Sequence, residues 1–250
     1  MGNSMSSNVP RVRMFAGPNG SGKSTIKSVI GRELLGMYIN PDEIENEMRE
    51  KDFIDLTHYG IQTTADEVLG FFRQSLLLEK IDLLDDTAAI RFSDNKLIFH
   101  DAGVNTYFAS VAADFIRSRL LDAGKSFTFE TVMSHPDKVE VLRRAQSKGY
   151  RTYLYYIATE DPDINISRVQ HRISTGGHSV PKDKIVERYK RSLDLLVQAV
   201  QVSNRAYIFD NSHQEPLLVA EITDGRILEM KTNQMPGWFK KSLGNKLFAR

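Results

Sequence analysis

Short apolar runs recur along the chain with the lengths and boundaries expected of β-strands. The runs that predict strands are Arg11–Ala16, "GMYIN" before Pro41, Phe127–Val132, "RTYLYYIAT" and "RAYIFDNS". Segments with helical spacing separate these runs. Strands that alternate with helices indicate a mainly parallel sheet covered on both faces. The pattern therefore predicts an α/β fold.

Apolar residues spaced three and four apart predict the helices. The predicted helices are a short one after Gly22, an acidic one in "PDEIENEMREKDFID", one from about Val104 to Leu121, one ending at Gly149, and one bearing Ile185, Tyr189, Leu193, Leu196 and Val200. Between Gly60 and Asp86, one long amphipathic helix is expected, with Ile61, Ala65, Val68, Leu69, Phe72, Leu76 and Leu83 on one face. "RFSDNKLIFHDAG" has no clear period and is expected to form a loop or small hairpin.

The order of these elements indicates one domain over residues 1–250. An irregular helical insertion is expected near residues 52–105, and a C-terminal extension near 213–250. Within that extension, "LLVAEITDGRILEM" predicts a hairpin that turns at Asp224–Gly225.

Composition narrows the class of protein. The 33 basic and 32 acidic residues leave a net charge of +1, which gives no support to binding of nucleic acid or an anionic membrane. There is no cysteine, as is common in a reducing compartment. No run of apolar residues is long enough to cross a membrane, and the first ten residues lack the apolar core of a signal peptide. A cytoplasmic protein is expected.

One motif carries specific chemistry. "GPNGSGKS" matches G-x-x-x-x-G-K-[ST], between a predicted strand and a predicted helix. Its glycines let backbone N–H groups turn toward phosphate oxygens, its lysine supplies a charge for the β- and γ-phosphates, and its serine can ligate magnesium. The residues expected to bind the nucleotide are Gly17, Pro18, Asn19, Gly20, Ser21, Gly22, Lys23, Ser24 and Thr25, with Ser24 also the expected metal ligand.

A protein can use a bound nucleotide to power a motor, to control a molecular switch or to donate a phosphoryl group. A motor or switch usually has an acid that ends an apolar strand and holds magnesium, and Asp210 in "YIFD" is only a partial candidate. A phosphotransferase needs a base for the acceptor hydroxyl, polar groups that bind the acceptor, and cations over the transferred group. The sequence offers candidates for all three.

Asp42 in "YINPDEI" is the candidate base. It follows the second predicted strand, at the carboxyl edge where open α/β sheets bind ligands, and a carboxylate there could accept a hydroxyl proton. The alternative is a role in stabilising the first turn of the following helix. Position alone leaves the two roles open. The neighbouring Glu43 and Glu45 are expected to be solvated.

Glu130 in "FTFETVMS" is the candidate acceptor-binding acid. It ends a hydrophobic strand, so its carboxylate is expected at the same sheet edge, where it could accept hydrogen bonds from a sugar or similar diol. Thr131 and Ser134 could add polar contacts. The alternative for Glu130 is a salt bridge with a nearby arginine.

The segment "RVQHRISTGGHSVPKDKIVERYKR" supplies the candidate cations. Arg168 and Arg172 share a helix face, Gly176–Gly177 and Pro181 interrupt the helix, and Arg188 lies on the next helix. This pattern is typical of a lid that closes over ATP phosphates. The alternative is a solvated basic surface. No metal site beyond nucleotide magnesium is expected from the histidines.

These motifs together resemble the zeta-toxin family of P-loop kinases. The resemblance rests on "GPNGSGKST", "YINPDEI", "FTFETVMS", "KGYRTYLYYIAT" and "RVQHRISTGGHSVPKDKIVERYKRSL", over about residues 11–212 except 52–105. It implies an ATP- and magnesium-dependent kinase. For the toxin branch it implies phosphorylation of UDP-N-acetylglucosamine on the sugar 3′-hydroxyl, and an antitoxin protein as a partner.

The resemblance also implies roles for individual residues. Asp42 would be the general base, Lys23 a nucleotide and catalytic residue, and Glu130 the acceptor-binding acid. Arg172 and Arg188 would be lid arginines on the transferred phosphate, with Arg168 a nucleotide-binding residue. The chain departs from the family after the strand acid, where it has Val132 and Ser134 in place of the toxins' polar and basic acceptor contacts.

Three interpretations therefore stay open. The first is a kinase of a UDP-amino sugar or another nucleotide-like acceptor. The second is an ATP-binding regulatory module whose lid controls a partner protein, with the insertion and "MPGWFKKSL" as its interface. The third, a nucleic-acid kinase, lacks the aromatic and basic platform that single strands require.

Overall fold

The computed structural model describes residues 9–28, 30–174 and 179–244, apart from the side chain of Arg32. Two compact units are distinguished: unit 1 comprises residues 1–36 and 128–250, and unit 2 comprises residues 37–127. The strands are β1 Arg11–Ala16, β2 Met37–Ile39, β3 Phe53–Asp55, β4 Arg91–Ser93, β5 Lys96–Ile98, β6 Phe127–Thr131, β7 Arg151–Ala158, β8 Arg205–Asp210, β9 Leu217–Thr223 and β10 Ile227–Met230.

The helices lie between and after these strands. They are α1 Lys23–Ser28, α2 Arg32–Leu35, α3 Pro41–Lys51, α4 Ala65–Arg73, α5 Leu76–Lys80, α6 Thr106–Asp122, α7 Pro136–Ser147, α8 Pro162–Ser174, α9 Lys182–Asp194, α10 Leu196–Gln201 and α11 Gly237–Phe239. Short 3₁₀ turns cover Leu56–Tyr59 and Asp85–Ala89, and a π-helical turn covers Lys240–Gly244. No helix in the described ranges is long and apolar enough to cross a membrane.

The sheet of unit 1 has its strands in the order β10-β9-β8-β7-β1-β6. β1 pairs with β7 and β7 pairs with β8 in parallel, whereas β9 runs antiparallel to β8 and to β10. The predicted α/β fold with a mainly parallel sheet and a C-terminal hairpin is therefore confirmed. The hairpin turns at Asp224 and Gly225, and both residues have positive φ.

Alternation along the parallel strands divides unit 1 into two hydrophobic layers. On one face, Phe15 and Ile157 pack with Ile26 of α1, and the ring of Tyr155 stacks between those of Phe15 and Tyr207. On the other face the buried residues are Val12, Met14, Leu154, Tyr156, Ala206 and Ile208. Because neighbouring strands are in register, Met14 is level with Leu154 and Leu154 with Ala206.

Unit 2 has its own core, in which Phe72, Phe99 and Phe108 contact one another. Its small antiparallel sheet has the order β3-β5-β4. For "RFSDNKLIFHDAG", where a loop or a small hairpin was expected, the structure has a hairpin of β4 and β5. Asp94 and Asn95 in its turn have positive φ. The strand β3 was not predicted.

The expectation of one long helix between Gly60 and Asp86 is wrong. Two helices, α4 and α5, lie in this stretch. The chain breaks between them because the Ser75 side chain caps a new helix by accepting a hydrogen bond from the Leu78 N–H. The break rotates Leu76 away from the predicted apolar face, and its side chain is 78% exposed.

Candidate active site

The glycine-rich loop, residues Gly17–Ser24, connects β1 to α1 as the motif predicted. Gly17, Gly20 and Gly22 have φ values of 147°, 75° and 93°, a region that side chains disfavour. A Cβ on Gly17 would lie 2.0 Å from the carbonyl oxygen of Ile157. The loop therefore needs glycine both for its backbone angles and for its close packing against the end of β7.

The loop lysine and serine face different partners. The Lys23 Nζ atom donates to the carbonyl oxygens of Gly17 and Pro18, at 2.9 and 3.1 Å. The Ser24 hydroxyl donates to Glu130 Oε1 at 3.5 Å. The backbone also joins the two strands, since the Gly17 N–H donates to the Thr131 carbonyl at 3.3 Å. The end of β6 is therefore held directly beside the loop.

Glu130 itself is 8% exposed. Its carboxylate accepts a hydrogen bond from the loop hydroxyl of Ser24, and the alternative of a salt bridge with an arginine stays open. A hydroxyl and a carboxylate are both hard oxygen ligands, the kind that magnesium prefers. Ser24 and Glu130 are thus of the kind that would hold a magnesium ion, and the predicted acceptor-binding role of Glu130 stays a prediction.

The residues that follow Glu130 form a tight turn. Met133 is buried with φ of 53°, and its N–H donates to the Thr131 hydroxyl at 3.0 Å. Thr131 therefore has a structural contact in addition to its predicted role in binding an acceptor. Ser134 is half-buried in the loop before α7.

Two buried asparagines support the loop from outside, and sequence analysis missed both. Asn165 of α8 donates through Nδ2 to the Asn19 carbonyl at 2.5 Å, and its Oδ1 accepts from the Thr159 hydroxyl. Asn211 donates through Nδ2 to the Ser21 carbonyl at 2.8 Å. Asn211 directly follows β8 and Asn165 lies within α8, after β7, so both lie beyond the carboxyl ends of parallel strands, but nothing in their local sequence marks them as partners of the loop.

A tyrosine contacts Thr159, the residue whose hydroxyl donates to Asn165. The Tyr189 hydroxyl donates to the Thr159 carbonyl at 2.6 Å. Burial raises the pKa of Tyr189 well above its ordinary value, so the hydroxyl keeps its proton, and therefore this hydrogen bond, throughout the physiological pH range.

The predicted lid residues lie on two helices that pack together, α8 and α9. Arg168 donates to the carbonyl oxygens of Asn211 and His213, at 2.7 and 3.3 Å, so it joins α8 to the segment after β8. Arg172 is exposed on α8, and Arg188 is half-buried on α9. The predicted glycine loop at Gly176–Gly177 lies outside the described residues. Lid function stays a prediction.

Asp42 lies in unit 2, exposed in the first turn of α3. The helix cap is the neighbouring Asn40, whose side chain accepts from the Asp42 N–H at 3.0 Å. Asn40 therefore supplies the side-chain cap, and both the first-turn role of the Asp42 carboxylate and its role as base stay predictions. The expectation that Glu45 is solvated is wrong: it is 1% exposed and accepts two hydrogen bonds from Arg49.

Asp210, the partial candidate for a magnesium acid, ends β8 with other partners. It is 5% exposed, and its Oδ1 accepts from the Trp238 indole at 2.8 Å and from the Ser212 hydroxyl at 2.7 Å. Among the described residues, no group of three or more His, Cys, Asp or Glu side chains is arranged to hold a metal.

A phosphate-binding loop after the first strand of a mainly parallel sheet, with helices on both faces, defines the P-loop kinase class of fold. The zeta toxin family model matches residues 99–218. This match confirms the resemblance to the zeta-toxin family that the motifs indicated.

Three other proteins are similar to this chain. A chain of the AvrRxo1-ORF1:AvrRxo1-ORF2 complex with sulphate ions is 15% identical with a TM-score of 0.53, covering 94% of this chain and 64% of that one. A chain of the PezAT chromosomal toxin–antitoxin system of Streptococcus pneumoniae is 14% identical with a TM-score of 0.50, covering 100% of this chain and 82% of that one. An uncharacterized protein of Haemophilus influenzae is 29% identical over 63 residues, which are 25% of this chain and 45% of that protein.

The similarities to the two solved structures show the fold. The chain spans less than half the length of the Haemophilus influenzae relative and about two thirds of the matched AvrRxo1 chain. The AvrRxo1-ORF1:-ORF2 complex was also solved with ATP; a chain of it is 14% identical with a TM-score of 0.51, covering 90% of this chain and 61% of that one.

Proposed function

We propose that the chain is an ATP- and magnesium-dependent phosphotransferase that phosphorylates a hydroxyl of a nucleotide sugar such as UDP-N-acetylglucosamine. The observation that carries the proposal is the contact between Ser24 of the P-loop and Glu130 at the end of β6. It brings a residue expected to hold the phosphoryl donor beside a residue expected to bind the metal or the acceptor. The family match and the P-loop kinase fold support it.

The donor half of the reaction follows from the loop. The backbone N–H groups of the loop would bind the phosphate oxygens of ATP, and Lys23, which donates to the Gly17 and Pro18 carbonyls in this structure, would place its charge on the β- and γ-phosphates. Magnesium, held by Ser24 with Glu130 nearby, would neutralise charge on those phosphates when bound. An ATP-bound neighbour of the same fold supports ATP as the donor.

The acceptor half rests on Asp42 and the arginines. The acceptor oxygen attacks the γ-phosphorus as the Asp42 carboxylate takes the hydroxyl proton. The new oxygen–phosphorus bond forms as the bond to the β-phosphate oxygen breaks, and ADP leaves with that electron pair. Arg172 and Arg188 would stabilise the charge spread over the transferred group.

A protein inhibitor is the partner that the neighbours suggest. One of them belongs to a toxin–antitoxin system, and the other was solved with AvrRxo1-ORF2. We propose an antitoxin-like protein partner for this chain on that basis.

The test measures ADP release by the purified protein with ATP, magnesium and a panel of nucleotide sugars, nucleosides and dinucleotides. The proposal predicts acceptor-dependent turnover that Lys23→Ala and Asp42→Asn both abolish. Absence of acceptor-dependent turnover across the panel would refute it. If the chain were instead an ATP-binding regulatory module, its biological effect would survive Asp42→Asn and be lost only in Lys23→Ala.

A further inference from the structure

The segment after the C-terminal hairpin folds back onto the end of the parallel sheet. This segment, α11 and the turn at Lys240–Gly244, lies beyond the residues that the family model matches. It contains Trp238, the single tryptophan of the chain, which is 3% exposed. The indole lies against Tyr156 of β7, with ring centroids 6.1 Å apart. A residue outside the family match is therefore built into the core of unit 1.

Two carboxylates fix this segment. The Trp238 indole N–H donates to Asp210 Oδ1 at 2.8 Å, and the Gly237 N–H donates to Glu160 Oε2 at 2.9 Å. Asp210 ends β8, and Glu160 follows β7 by two residues. Ser212 joins them, since its hydroxyl accepts from the Glu160 N–H and donates to Asp210. The contacts are therefore at the carboxyl ends of two adjacent parallel strands.

The residue after Asp210 contacts the phosphate loop. The Asn211 N–H donates to the Ala158 carbonyl at 2.8 Å, and its side chain donates to the Ser21 carbonyl at 2.8 Å. A Cβ on Gly22 would lie 2.1 Å from Asn211 Nδ2, so the fit between asparagine and loop is close. Any shift of Asn211 would therefore move the loop. Asp210, bonded to Trp238, sets the position of the strand end from which Asn211 extends.

We propose that Trp238 is a positioning residue for the phosphate loop, acting through Asp210 and Asn211. The inference rests on the proposed function, since it assigns Trp238 a part in nucleotide binding. Removal of the indole N–H leaves a buried carboxylate with one fewer donor, and the strand end relaxes. The loop then loses part of its preorganisation for phosphates.

The experiment compares nucleotide affinity in wild type, Trp238→Phe, Asn211→Ala and the double variant, with calorimetric titration of ATP and magnesium. Phenylalanine retains most of the ring packing and removes the donor. We expect the Kd of Trp238→Phe to rise about threefold to tenfold with kcat largely retained. In the Asn211→Ala background, Trp238→Phe should not raise the Kd any further, because the side chain that connects the strand end to the loop is already absent.

Ser203→Ala is the matched control. It removes a buried hydrogen bond to the Ala199 carbonyl just before β8, at the opposite end of that strand from Asp210. Its Kd should equal that of the wild type. An equal rise in Kd in this control would show a general effect of destabilisation and would overturn the inference.

A second measurement uses the fluorescence of Trp238 itself. Because Trp238 is the only tryptophan, its emission should change when ATP saturates the wild-type protein and should not change in Lys23→Ala. Wild-type affinity in Trp238→Phe, or effects that add fully in the double variant, would overturn the inference and leave the proposed function standing. Failure of the wild type to bind ATP at all would overturn both.

Discussion

Replacement of Asn165 by alanine tests whether the buried asparagines hold the phosphate loop. Asn165 is fully buried, and its side chain bridges the Asn19 carbonyl of the loop and the Thr159 hydroxyl at the end of β7. A Cβ on Gly20 would lie 2.6 Å from the backbone oxygen of Asn165, so the loop packs directly on α8. Alanine removes both hydrogen bonds and leaves no group to replace them.

The expected cost follows from burial. A buried polar group left without a partner costs about 1–3 kcal/mol, so the free energy of unfolding should fall by about 2 kcal/mol. For a chain of this size, that change lowers Tm by about 4–8 °C. The affinity for ATP should fall as well, because the loop carbonyl of Asn19 is no longer held. Circular dichroism gives Tm, and calorimetric titration gives the Kd.

Asn204→Ala is the control for this prediction. Asn204 also bridges two elements, accepting from the Thr152 N–H at 2.9 Å and donating to Asp224, but it lies at the amino ends of the strands. It should lower Tm and leave the Kd for ATP unchanged. An Asn165→Ala protein with wild-type Tm and Kd would refute the role assigned to Asn165.

Two further predictions concern the other site residues. Glu130→Gln should raise the magnesium concentration needed for half-maximal ATP turnover if the carboxylate binds the metal beside Ser24. A change confined to the KM for the acceptor would instead identify Glu130 as the acceptor-binding acid. Turnover measured first against magnesium concentration and then against acceptor concentration separates the two roles. Asp42→Asn should lower kcat at least about 100-fold. Its Tm should be unchanged, because Asn40 supplies the cap of α3. Asn40→Ala should lower the free energy of unfolding by about 1 kcal/mol and leave the Asp42 carboxylate in place. A marked loss of Tm in Asp42→Asn would instead assign that residue to the helix.

Sequence patterns predicted those parts of the fold that depend on residues close together along the chain. The bounds of β1 and the loop at Gly17 follow from an apolar run and a glycine motif, both contiguous in sequence. The stretch between Gly60 and Asp86 was misread because its apolar spacing continues through Ser75, while the serine cap and its hydrogen bond to Leu78 decide the break. Similarly, β3 is only three residues long and is a strand because β5 pairs with it.

The support of the site could not be predicted because it comes from distant parts of the chain. Asn165 and Asn211 reach Asn19 and Ser21 across 146 and 190 residues of sequence. No local spacing encodes such contacts. Glu45 was misread for a related reason: an acidic helix usually faces water, but one face of α3 is buried in unit 2, and there Arg49 pairs with the carboxylate.

The most direct test of the central claim follows the transferred phosphoryl group. The protein is incubated with a metabolite extract and ATP labelled with ¹⁸O in the γ-phosphoryl group, and the products are examined by mass spectrometry. We predict a labelled phosphate ester on a nucleotide sugar, formed by the wild type and absent in Lys23→Ala. Label found only in inorganic phosphate, or in no product, would contradict the assignment of a small-molecule kinase.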